Sequence, residues 1–284
     1  MQPLRKIVIC PNPIRDAGFE LTNAIRDLLS TRGAEVSVVP LFDVYTGQNA
    51  VSEITSALAD AELMVCLGGD GTILHTSKYA AAAGVPILGV NLGTLGFIAD
   101  LERDGWKDIA KVLSGDYIID ERMMLTVSVV RSGKTIVSNT GLNEAAITNG
   151  AGTRSVWLTL FSDGLKICRF SGNGVVIATP TGSTGYSMSA GGPVVEPAAA
   201  SMVVTPVCAH ALMDKAFVLS KDRRVIVEVY DGCPAQLSVD GDPAIALERG
   251  DSVQIIRSDL ITRLVHVSER SFFEVVGRKL NLAI

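Results

Sequence analysis

A glycine-rich turn that contains one acid is the part of the sequence best suited to chemistry. Residues 68–72 have the sequence Gly-Gly-Asp-Gly-Thr, after the apolar run 63–67 and before a segment with helical character that begins at Ile73. Glycines adopt turn conformations closed to other residues and let backbone N–H groups approach a phosphorylated ligand. Asp70 is the only side chain of this turn that can accept a proton. Taken alone, the pentapeptide also fits a tight turn without chemistry.

A second loop, at residues 179–186, has a composition suited to a nucleotide. Its sequence, Thr-Pro-Thr-Gly-Ser-Thr-Gly-Tyr, offers hydroxyl groups with little bulk, and Tyr186 offers a flat face for a ring. The surrounding window 170–195 has no charged residue, but its six glycines and two prolines argue against a membrane span. Such a loop is typical of backbone that lines a ligand site, the alternative being a Gly/Ser-rich surface loop.

Composition and charge restrict the class of protein. The 284 residues are 48% hydrophobic and 19% charged, which is typical of an ordered globular protein. With a net charge of −5 and no Lys/Arg cluster, nucleic-acid binding is not expected, so anionic ligands must be held by local amides, single cations and metal. The five cysteines are scattered without a CxxC pair, which predicts reduced thiols in a cytoplasm, and the three histidines are too far apart in the sequence to suggest a metal cluster.

The elements that must position these loops begin with an α/β region. Up to residue 115, strand-like and helix-like segments alternate, which predicts a domain with a doubly wound, Rossmann-like parallel sheet. The glycine turn and the 91–97 loop both fall at the carboxyl ends of predicted strands, where such sheets bind ligands. The predicted strands are 6–10, 35–41, 62–67 and 86–90, and the predicted helices are 17–30, 52–59 and the one from Ile73.

Residues 116–269 predict a second, mostly β domain. Short β-branched runs separated by turns replace the helical periodicity, as in 125–130, 156–161 and 225–230. The tail, residues 270–284, contains an amphipathic stretch and is predicted to pack back on the first domain. We therefore predict an α/β domain over 1–115 with 270–284 packed on it, and a β-rich domain over 116–269.

Three motifs in this order are specific for one family. GGDGT at 68–72, Asn143-Glu144 in GLNEAAIT and TPTGSTGY at 179–186 together make the chain closely similar to the NAD kinase family. The resemblance implies transfer of a phosphoryl group to the 2′-hydroxyl of the adenosine ribose of NAD, giving NADP, with NAD bound in the β-rich domain. It also implies ATP or polyphosphate as the donor, Mg²⁺ or another divalent cation, and a homodimer or homotetramer, while the composition described above predicts a cytoplasmic protein without nucleic-acid or membrane partners.

The same resemblance assigns roles to residues. Asp70 matches the general base that takes the 2′-hydroxyl proton, and Gly71 matches a backbone position beside it that contacts the ligand. Asn143 and Glu144 match the pair that binds the NAD adenosine. The segment matched to the adenine and ribose comprises Thr184, Gly185, Tyr186, Ser187, Met188 and Ser189, and further dinucleotide contacts are expected at His75, Arg154 and Asp242.

Asn173 departs from the family pattern. Where the family usually has Gly-Asp-Gly, this chain has Gly-Asn-Gly at 172–174, so a neutral isostere replaces a carboxylate at an expected dinucleotide contact. Two alternatives stay open: a lipid or sugar-alcohol kinase built on the same GGDGT domain, and a non-catalytic NAD or NADP sensor. A screen of acceptor substrates distinguishes a lipid or sugar-alcohol kinase from an NAD kinase. Thermal stabilisation of the protein by NAD without any ATP consumption would favour the sensor.

Overall fold

The structure, a computed structural model, describes residues 1–42, 47–48, 50–150, 154–209, 215–230, 234–269 and 271–280. His210, Cys233 and residues 270 and 281–284 of the predicted tail lie outside this described part. The chain forms two compact units, the first comprising Met1–Glu121 with Ile261–Ile284 and the second comprising Arg122–Leu260.

The helices and strands of the described residues follow the predicted change from α/β to mostly β. The α-helices are α1 (Glu20–Ser30), α2 (Val51–Leu58), α3 (Asp70–Ala83), α4 (Tyr186–Ser189) and α5 (Phe272–Lys279), with 3₁₀ segments at Ala17–Phe19, Arg103–Ser114 and Thr181–Thr184. None of these helices combines the length and apolar character that crossing a membrane requires. The strands are β1 (Lys6–Pro11), β2 (Glu35–Val38), β3 (Leu63–Gly68), β4 (Ile87–Asn91), β5 (Leu101–Glu102), β6 (Ile118–Arg131), β7 (Lys134–Gly141), β8 (Glu144–Asn149), β9 (Val156–Ser162), β10 (Leu165–Gly172), β11 (Gly174–Ala178), β12 (Ser201–Val207), β13 (Phe217–Ser220), β14 (Val225–Val229), β15 (Ala235–Val239), β16 (Ile245–Leu247) and β17 (Ser252–His266).

The first unit contains a parallel sheet with the strand order β17-β4-β3-β1-β2. β1 pairs with β2 on one side and with β3 on the other, and β4 is added next to β3. The order of the strands therefore reverses at β1. β3 is buried along its whole length, as expected for a central parallel strand that is covered on both faces. The predicted Rossmann-like sheet is confirmed, and the carboxyl ends of β1, β3 and β4 lie at the edge where such sheets bind ligands.

The first helix begins later than its spacing predicts. The apolar pattern placed a helix over 17–30, but α1 begins at Glu20 because Gly18 and Phe19 have φ angles of 73° and 56°, which are incompatible with a right-handed helix. Asp16 stabilises the observed start, since its carboxylate accepts hydrogen bonds from two backbone N–H groups of the first turn. The periodicity of the apolar side chains does not report these backbone conformations.

The helix after the glycine turn begins earlier than its spacing predicts. α3 begins at Asp70 and not at Ile73, with Gly69 in an extended conformation as its N-cap. Asp70 therefore lies in the first turn of a helix, where the positive end of the helix dipole favours a negative charge. The sequence Gly-Gly-Asp-Gly-Thr is thus partly turn and partly helix.

The second unit has two antiparallel sheet layers around one core. One sheet has the strand order β13-β12-β11-β8-β15-β16, and the other contains β10, β9 and β14 with the parts of β6, β7 and β17 that lie in this unit. Leu125, Val127 and Val129 alternate with less buried residues along β6, and they share a core with Ile147 and Ile177 of the first of these sheets. The predicted mostly β character is confirmed.

The strands β6 and β17 carry the chain from one unit to the other. The sequence prediction placed the boundaries after residues 115 and 269, whereas the units divide after residues 121 and 260. Residues 261–267 lie with the first unit because Leu264 pairs with Ile87 of β4 and Val265 belongs to the same hydrophobic core. Helix α5 of the predicted tail also lies in the first unit, with the Lys279 ammonium 4.3 Å from the centre of the Phe97 ring.

A histidine between two carboxylates ties the end of β17 to the rest of the first unit. His266 Nδ1 lies 2.9 Å from Asp100 Oδ1, and Nε2 lies 3.5 Å from Asp120 Oδ2. Burial opposes the charged ring, but the hydrogen bonds and charges of these carboxylates outweigh burial and raise the pKa of His266 to about 9. Asp100 also accepts hydrogen bonds from the backbone N–H groups of Val267 and Ser268. The imidazolium is therefore the charged centre of this cluster.

We expect His266→Gln to lower the free energy of unfolding by at most about 3 kcal/mol, which corresponds to a pKa of about 9 in the folded chain and about 6.5 in the unfolded chain. A group whose pKa is higher in the folded chain stabilises the fold fully at pH values below its pKa in the unfolded chain. This contribution is lost as the pH rises through its pKa in the folded chain. Urea unfolding at about pH 6 and about pH 10 measures this, because the difference between wild type and variant should shrink at the higher pH. An equal difference at both values would contradict a charged His266.

Candidate active site

In the first unit, Asp70 lines a cavity of about 290 Å³ at the carboxyl ends of β1, β3 and β4. Two glycine-rich segments form most of its wall, 68–71 between β3 and α3, and 93–96 after β4. Among the described residues, the cations that line it are Arg15, which follows β1, and Lys279 of α5. An acid, two cations and the N-terminus of a helix thus face one cavity, a combination suited to phosphate groups.

The Asp70 carboxylate is held by the loop that follows β4. Its Oδ2 accepts a hydrogen bond from the Phe97 N–H at 2.7 Å, and its Oδ1 accepts from the Ile98 N–H at 3.1 Å and the Ala99 N–H at 3.3 Å. Gly96 is required beside it, because a β-carbon at that position would collide with Asp70 Oδ1. An ionised carboxylate has about four acceptor positions, so these backbone groups leave room for a further donor such as a ligand hydroxyl.

Asn91, at the end of β4, shapes the same loop. Its buried side chain donates from Nδ2 to the Thr94 carbonyl oxygen at 2.9 Å and to Glu102 Oε2 at 2.7 Å. Its Oδ1 accepts a hydrogen bond from the Gly93 N–H at 3.1 Å. Residues 91–97, Asn-Leu-Gly-Thr-Leu-Gly-Phe, can therefore be explained locally. Asn91 fixes the turn after β4, and Gly96 lets the backbone approach Asp70.

In the second unit, the loop at 179–186 packs directly on the Asn143-Glu144 segment. The Thr179 N–H donates to the Asn143 carbonyl oxygen at 2.8 Å, and the Thr179 hydroxyl donates to the Leu142 carbonyl oxygen at 2.6 Å. Gly182 has no room for a side chain, since a β-carbon there would overlap the Asn143 carbonyl group. The second and third motifs of the sequence are therefore parts of one structure.

The Asn143 and Glu144 side chains each present a buried acceptor. Among the described residues, neither Asn143 Oδ1 nor Glu144 Oε2 has a hydrogen-bond partner. Burial, and after it the charge of Asp240, raises the pKa of Glu144 to about 7, although a hydrogen bond from the Tyr186 backbone acts in the opposite direction. Because buried polar atoms normally have partners, these acceptors indicate a ligand that supplies donors, such as hydroxyl or amino groups.

Asp240 supports the same segment and was not singled out from the sequence. Its carboxylate accepts hydrogen bonds from the backbone N–H groups of Leu142, Asn143 and Glu144, the last two at 2.8 and 2.9 Å. Burial raises the pKa of Asp240, while these N–H groups act to lower it. In the sequence, residues 239–242, Val-Asp-Gly-Asp, indicate an acid in a turn after a strand. This pattern does not show which backbone N–H groups the acid binds.

Both domains of one enzyme family match this chain. The model of the ATP-NAD kinase N-terminal domain matches residues 9–117, and the model of the ATP-NAD kinase C-terminal domain matches residues 142–267. The chain belongs to the NAD kinase family. These matches confirm the resemblance found in the motifs and the prediction of an NAD kinase enzyme.

Relatives in the NAD kinase family match nearly the whole chain. The NAD kinase of Ruminiclostridium cellulolyticum is 32% identical over 281 residues, which cover 98% of each chain. The structure of yeast NADH kinase complexed with NADH has a TM-score of 0.85 at 23% identity and covers 99% of this chain and 88% of its own. The structure of an NAD kinase from Archaeoglobus fulgidus in complex with ATP has a TM-score of 0.75 at 22% identity and covers 98% of this chain and 100% of its own. At these identities the two structures support the fold.

Within this NAD kinase, the segment predicted to hold the adenine and ribose is only partly accessible. The Tyr186 side chain is 39% exposed, and Ser189 is also exposed, whereas Ser187 is buried with its hydroxyl 2.8 Å from Thr205 Oγ1. A β-carbon at Gly185 would lie 2.8 Å from Glu144 Oε2, so this glycine keeps the space beside that acceptor. Thr184 and Met188 are partly exposed.

The other predicted contacts of the NAD kinase are spread over its two units. In the first unit, Gly71 lines the Asp70 cavity, while His75 is an exposed residue of α3 that is not among the residues lining it. In the second unit, Arg154 and Asn173 are exposed, and Asp242 Oδ2 accepts a hydrogen bond from Asn139 Nδ2 at 3.2 Å. Their contacts with a dinucleotide stay predictions. Arg15 and Lys279 of the cavity were not predicted, because they lie at opposite ends of the sequence.

The family implies a divalent cation, but the described ranges contain no group of three or more His, Cys, Asp or Glu side chains that could hold a metal ion. Mg²⁺ commonly reaches phosphoryl-transfer sites bound to substrate phosphates.

We expect Gly182→Ala to lower the thermal unfolding temperature of this NAD kinase, because the added methyl group must displace the backbone of Asn143. Overpacking of this kind costs roughly 1–3 kcal/mol. The matched control is Gly105→Ala, since a β-carbon at Gly105 meets no atom within 4 Å. Differential scanning calorimetry of both variants measures the effect. Equal unfolding temperatures would contradict the tight contact between the two motifs.

Proposed function

We propose that this chain transfers a phosphoryl group to the 2′-hydroxyl of the adenosine ribose of NAD and so forms NADP. The observation that carries the proposal is the cavity of the first unit, where Asp70 lies with two cations at a glycine-rich helix N-terminus. In the reaction, the 2′-oxygen forms a bond to the terminal phosphorus of the donor, and the bond from that phosphorus to the rest of the donor breaks. The hydroxyl proton passes to the Asp70 carboxylate.

Asp70 suits the role of general base because its position is fixed. The backbone N–H groups of Phe97, Ile98 and Ala99 hold its oxygens, and no mobile side chain is needed to orient them. In phosphoryl transfer the protein mainly aligns the reacting groups and neutralises charge. A base held by peptide groups meets the requirement for alignment, which can supply a large part of the rate enhancement.

The donor phosphates are assigned to the cations of the same cavity. Arg15 can offer a planar pair of donors to phosphate oxygens, and Lys279 offers a point charge near the loop that holds Asp70. A structure of this fold has been solved in complex with ATP, which supports ATP as the donor. Polyphosphate carries the same phosphoanhydride groups and fits the same assignment. Mg²⁺ bound to these phosphates would supply positive charge to the developing transition state.

The NAD adenosine is assigned to the second unit. Asn143 Oδ1 and Glu144 Oε2 are acceptors without partners among the described residues, which matches the hydroxyl donors of a ribose. The partly exposed ring of Tyr186 follows Gly185, and it offers a face on which adenine can stack. Of the further contacts implied by the resemblance, Asp242 is connected to this segment through Asp240, because its charge acts on Asp240, which accepts hydrogen bonds from the Asn143 and Glu144 N–H groups.

The cytoplasm is the proposed setting of the enzyme, and a homodimer or homotetramer is its proposed assembly. Cys10, Cys66, Cys168 and Cys208 are free thiols, as expected in a reducing compartment. The assembly rests on the family resemblance alone. Sedimentation of the purified protein would test it directly.

Asp70→Asn is expected to lower the rate of NADP formation by roughly 10²–10⁴-fold, the range for the loss of a general base. The purified protein is assayed with NAD, Mg²⁺ and ATP or polyphosphate, and NADP is detected with an NADP-specific dehydrogenase. Because Asp70 also holds the 97–99 backbone, the unfolding temperature and the NAD affinity of the variant are measured beside its activity. A variant with nearly full activity would contradict the base. A wild type that binds NAD without forming NADP would contradict the function.

Arg15→Ala and Lys279→Ala are each expected to raise the KM for ATP by about tenfold, since a hydrogen bond to a charged group contributes roughly 1.5–3 kcal/mol. The KM for NAD should change little, because these side chains lie in the first unit and are assigned to the donor. Arg26→Ala is the matched control, an exposed cation of α1 that does not line the cavity. Steady-state kinetics with each substrate varied in turn measures the difference. A rise confined to the KM for NAD would reverse the assignment.

A further inference from the structure

We propose that Asp240 is a positioning residue of the dinucleotide site, which fixes the Asn143-Glu144 segment through its backbone N–H groups and controls whether Glu144 carries a proton. The inference rests on the proposed binding of NAD adenosine at Asn143 and Glu144. Asp240 itself is not assigned a contact with the ligand. Its effect passes through the segment that it holds.

The geometry of the turn explains how one side chain can hold this segment. Asp240 has a φ angle of 49° and is followed by Gly241 with a φ angle of 79°, so β15 ends in a left-handed turn. This turn directs the carboxylate to the N–H groups of residues 142–144. Gly141 before them has no space for a side chain, since a β-carbon there would lie 2.6 Å from Val239 Cγ1 and 3.0 Å from Asp240 Oδ1. Residues 141–144 are thus fitted closely around the acid.

Asp240 and Glu144 differ in how their negative charges are supported. Asp240 accepts three backbone hydrogen bonds, whereas the backbone hydrogen bond acting on Glu144 is that of Tyr186. Two carboxylates in one part-buried region oppose each other's ionisation. The member with more N–H donors keeps its charge, so we assign the charge to Asp240 and the proton to Glu144. This agrees with the raised pKa of Glu144, about 7, whose causes are burial and then Asp240.

The other charged groups of this region do not compensate for Asp240. Asp242, in the same turn, adds a second negative charge that acts on Asp240. Arg122 is a buried cation of this unit, and its Nη1 donates to the Thr181 hydroxyl at 3.3 Å. It is not among the groups that shift the pKa of Glu144. Glu144 therefore faces negative charge without a cation that offsets it in the described contacts.

The proton on Glu144 determines what the site can bind. An ionised Glu144 offers Oε2 as an acceptor for a ribose hydroxyl, whereas a protonated Glu144 offers a donor at one of its oxygens. A ribose hydroxyl that donates to Oε2 binds the ionised form more tightly, because a hydrogen bond to a charged acceptor is stronger, and binding then releases the Glu144 proton to solvent. With a pKa of about 7, the affinity for NAD should increase about tenfold between pH 6 and pH 8.

Isothermal titration calorimetry of NAD binding tests this inference across that pH range in pairs of buffers with different ionisation enthalpies. For the wild type we expect proton release near pH 7 and the tenfold change in Kd. Glu144→Gln should abolish both effects. Asp240→Asn removes the charge that opposes ionisation, so the pH dependence should move to lower pH while the affinity falls.

Asp163→Asn is the matched control for Asp240→Asn. Asp163 also has a φ angle of 49°, precedes a glycine and accepts a backbone N–H, that of Arg224, but it lies in an exposed turn of the same unit. Its pH profile for NAD should equal that of the wild type. The comparison separates a loss of turn stability from an effect on Glu144.

The outcomes distinguish this inference from the proposed function. Asp240→Asn with weaker binding but an unchanged pH profile would overturn the inference, since it would show only a structural role. If that variant does not fold, the wild type decides, because a Kd that is constant from pH 6 to pH 8 would also overturn it. A wild type that does not bind NAD at all would overturn the proposed function as well.

Discussion

In each unit, one carboxylate accepts hydrogen bonds from successive backbone N–H groups and so fixes the candidate functional segment. In the first unit, Asp70 binds the peptide groups of residues 97–99, and in the second, Asp240 binds those of residues 142–144. Asp70 lies two residues after β3 and Asp240 lies directly after β15, and both hold a segment that is distant in the sequence. Because one carboxylate accepts several donors, one side chain fixes several peptide planes at once. Rigid placement of this kind is what ligand orientation and phosphoryl transfer require.

The loop after β4 and the chemistry at Asp70 depend on the same two oxygen atoms. The side chain that fixes the 97–99 backbone is also the one assigned to accept the proton. A longer acid at this position would have to displace the loop, because Gly96 already leaves only enough space for Asp70. Close packing therefore explains Gly96 and Gly68, whereas Gly71 has open space beside it, which suits the approach of a ligand.

Local patterns in the sequence predicted the fold well and the site in part. Alternation and apolar runs indicated the strands of both units, because burial on one or two faces leaves a direct periodic trace in the sequence. They could not indicate that Phe19 adopts a left-handed conformation, since a backbone angle leaves no such trace. The glycine motifs identified the loops around Asp70 and Glu144, but not the contacts of Asp240, Arg15 or Lys279. Those contacts join residues that are far apart in the chain, so they follow from strand order and not from spacing.

The first unit is discontinuous, since it combines residues 1–121 with residues 261–284. During synthesis the ribosome must complete the whole second unit before Leu264 of β17 can pair with β4. Until then the nascent sheet lacks a partner beside Ile87, and such an open strand edge is a template for incorrect pairing. Lys279 follows the second unit in the sequence, so the cavity gains its second cation only after the second unit has been synthesised. The order of synthesis thus keeps the wall of the Asp70 cavity incomplete until the second unit has been made.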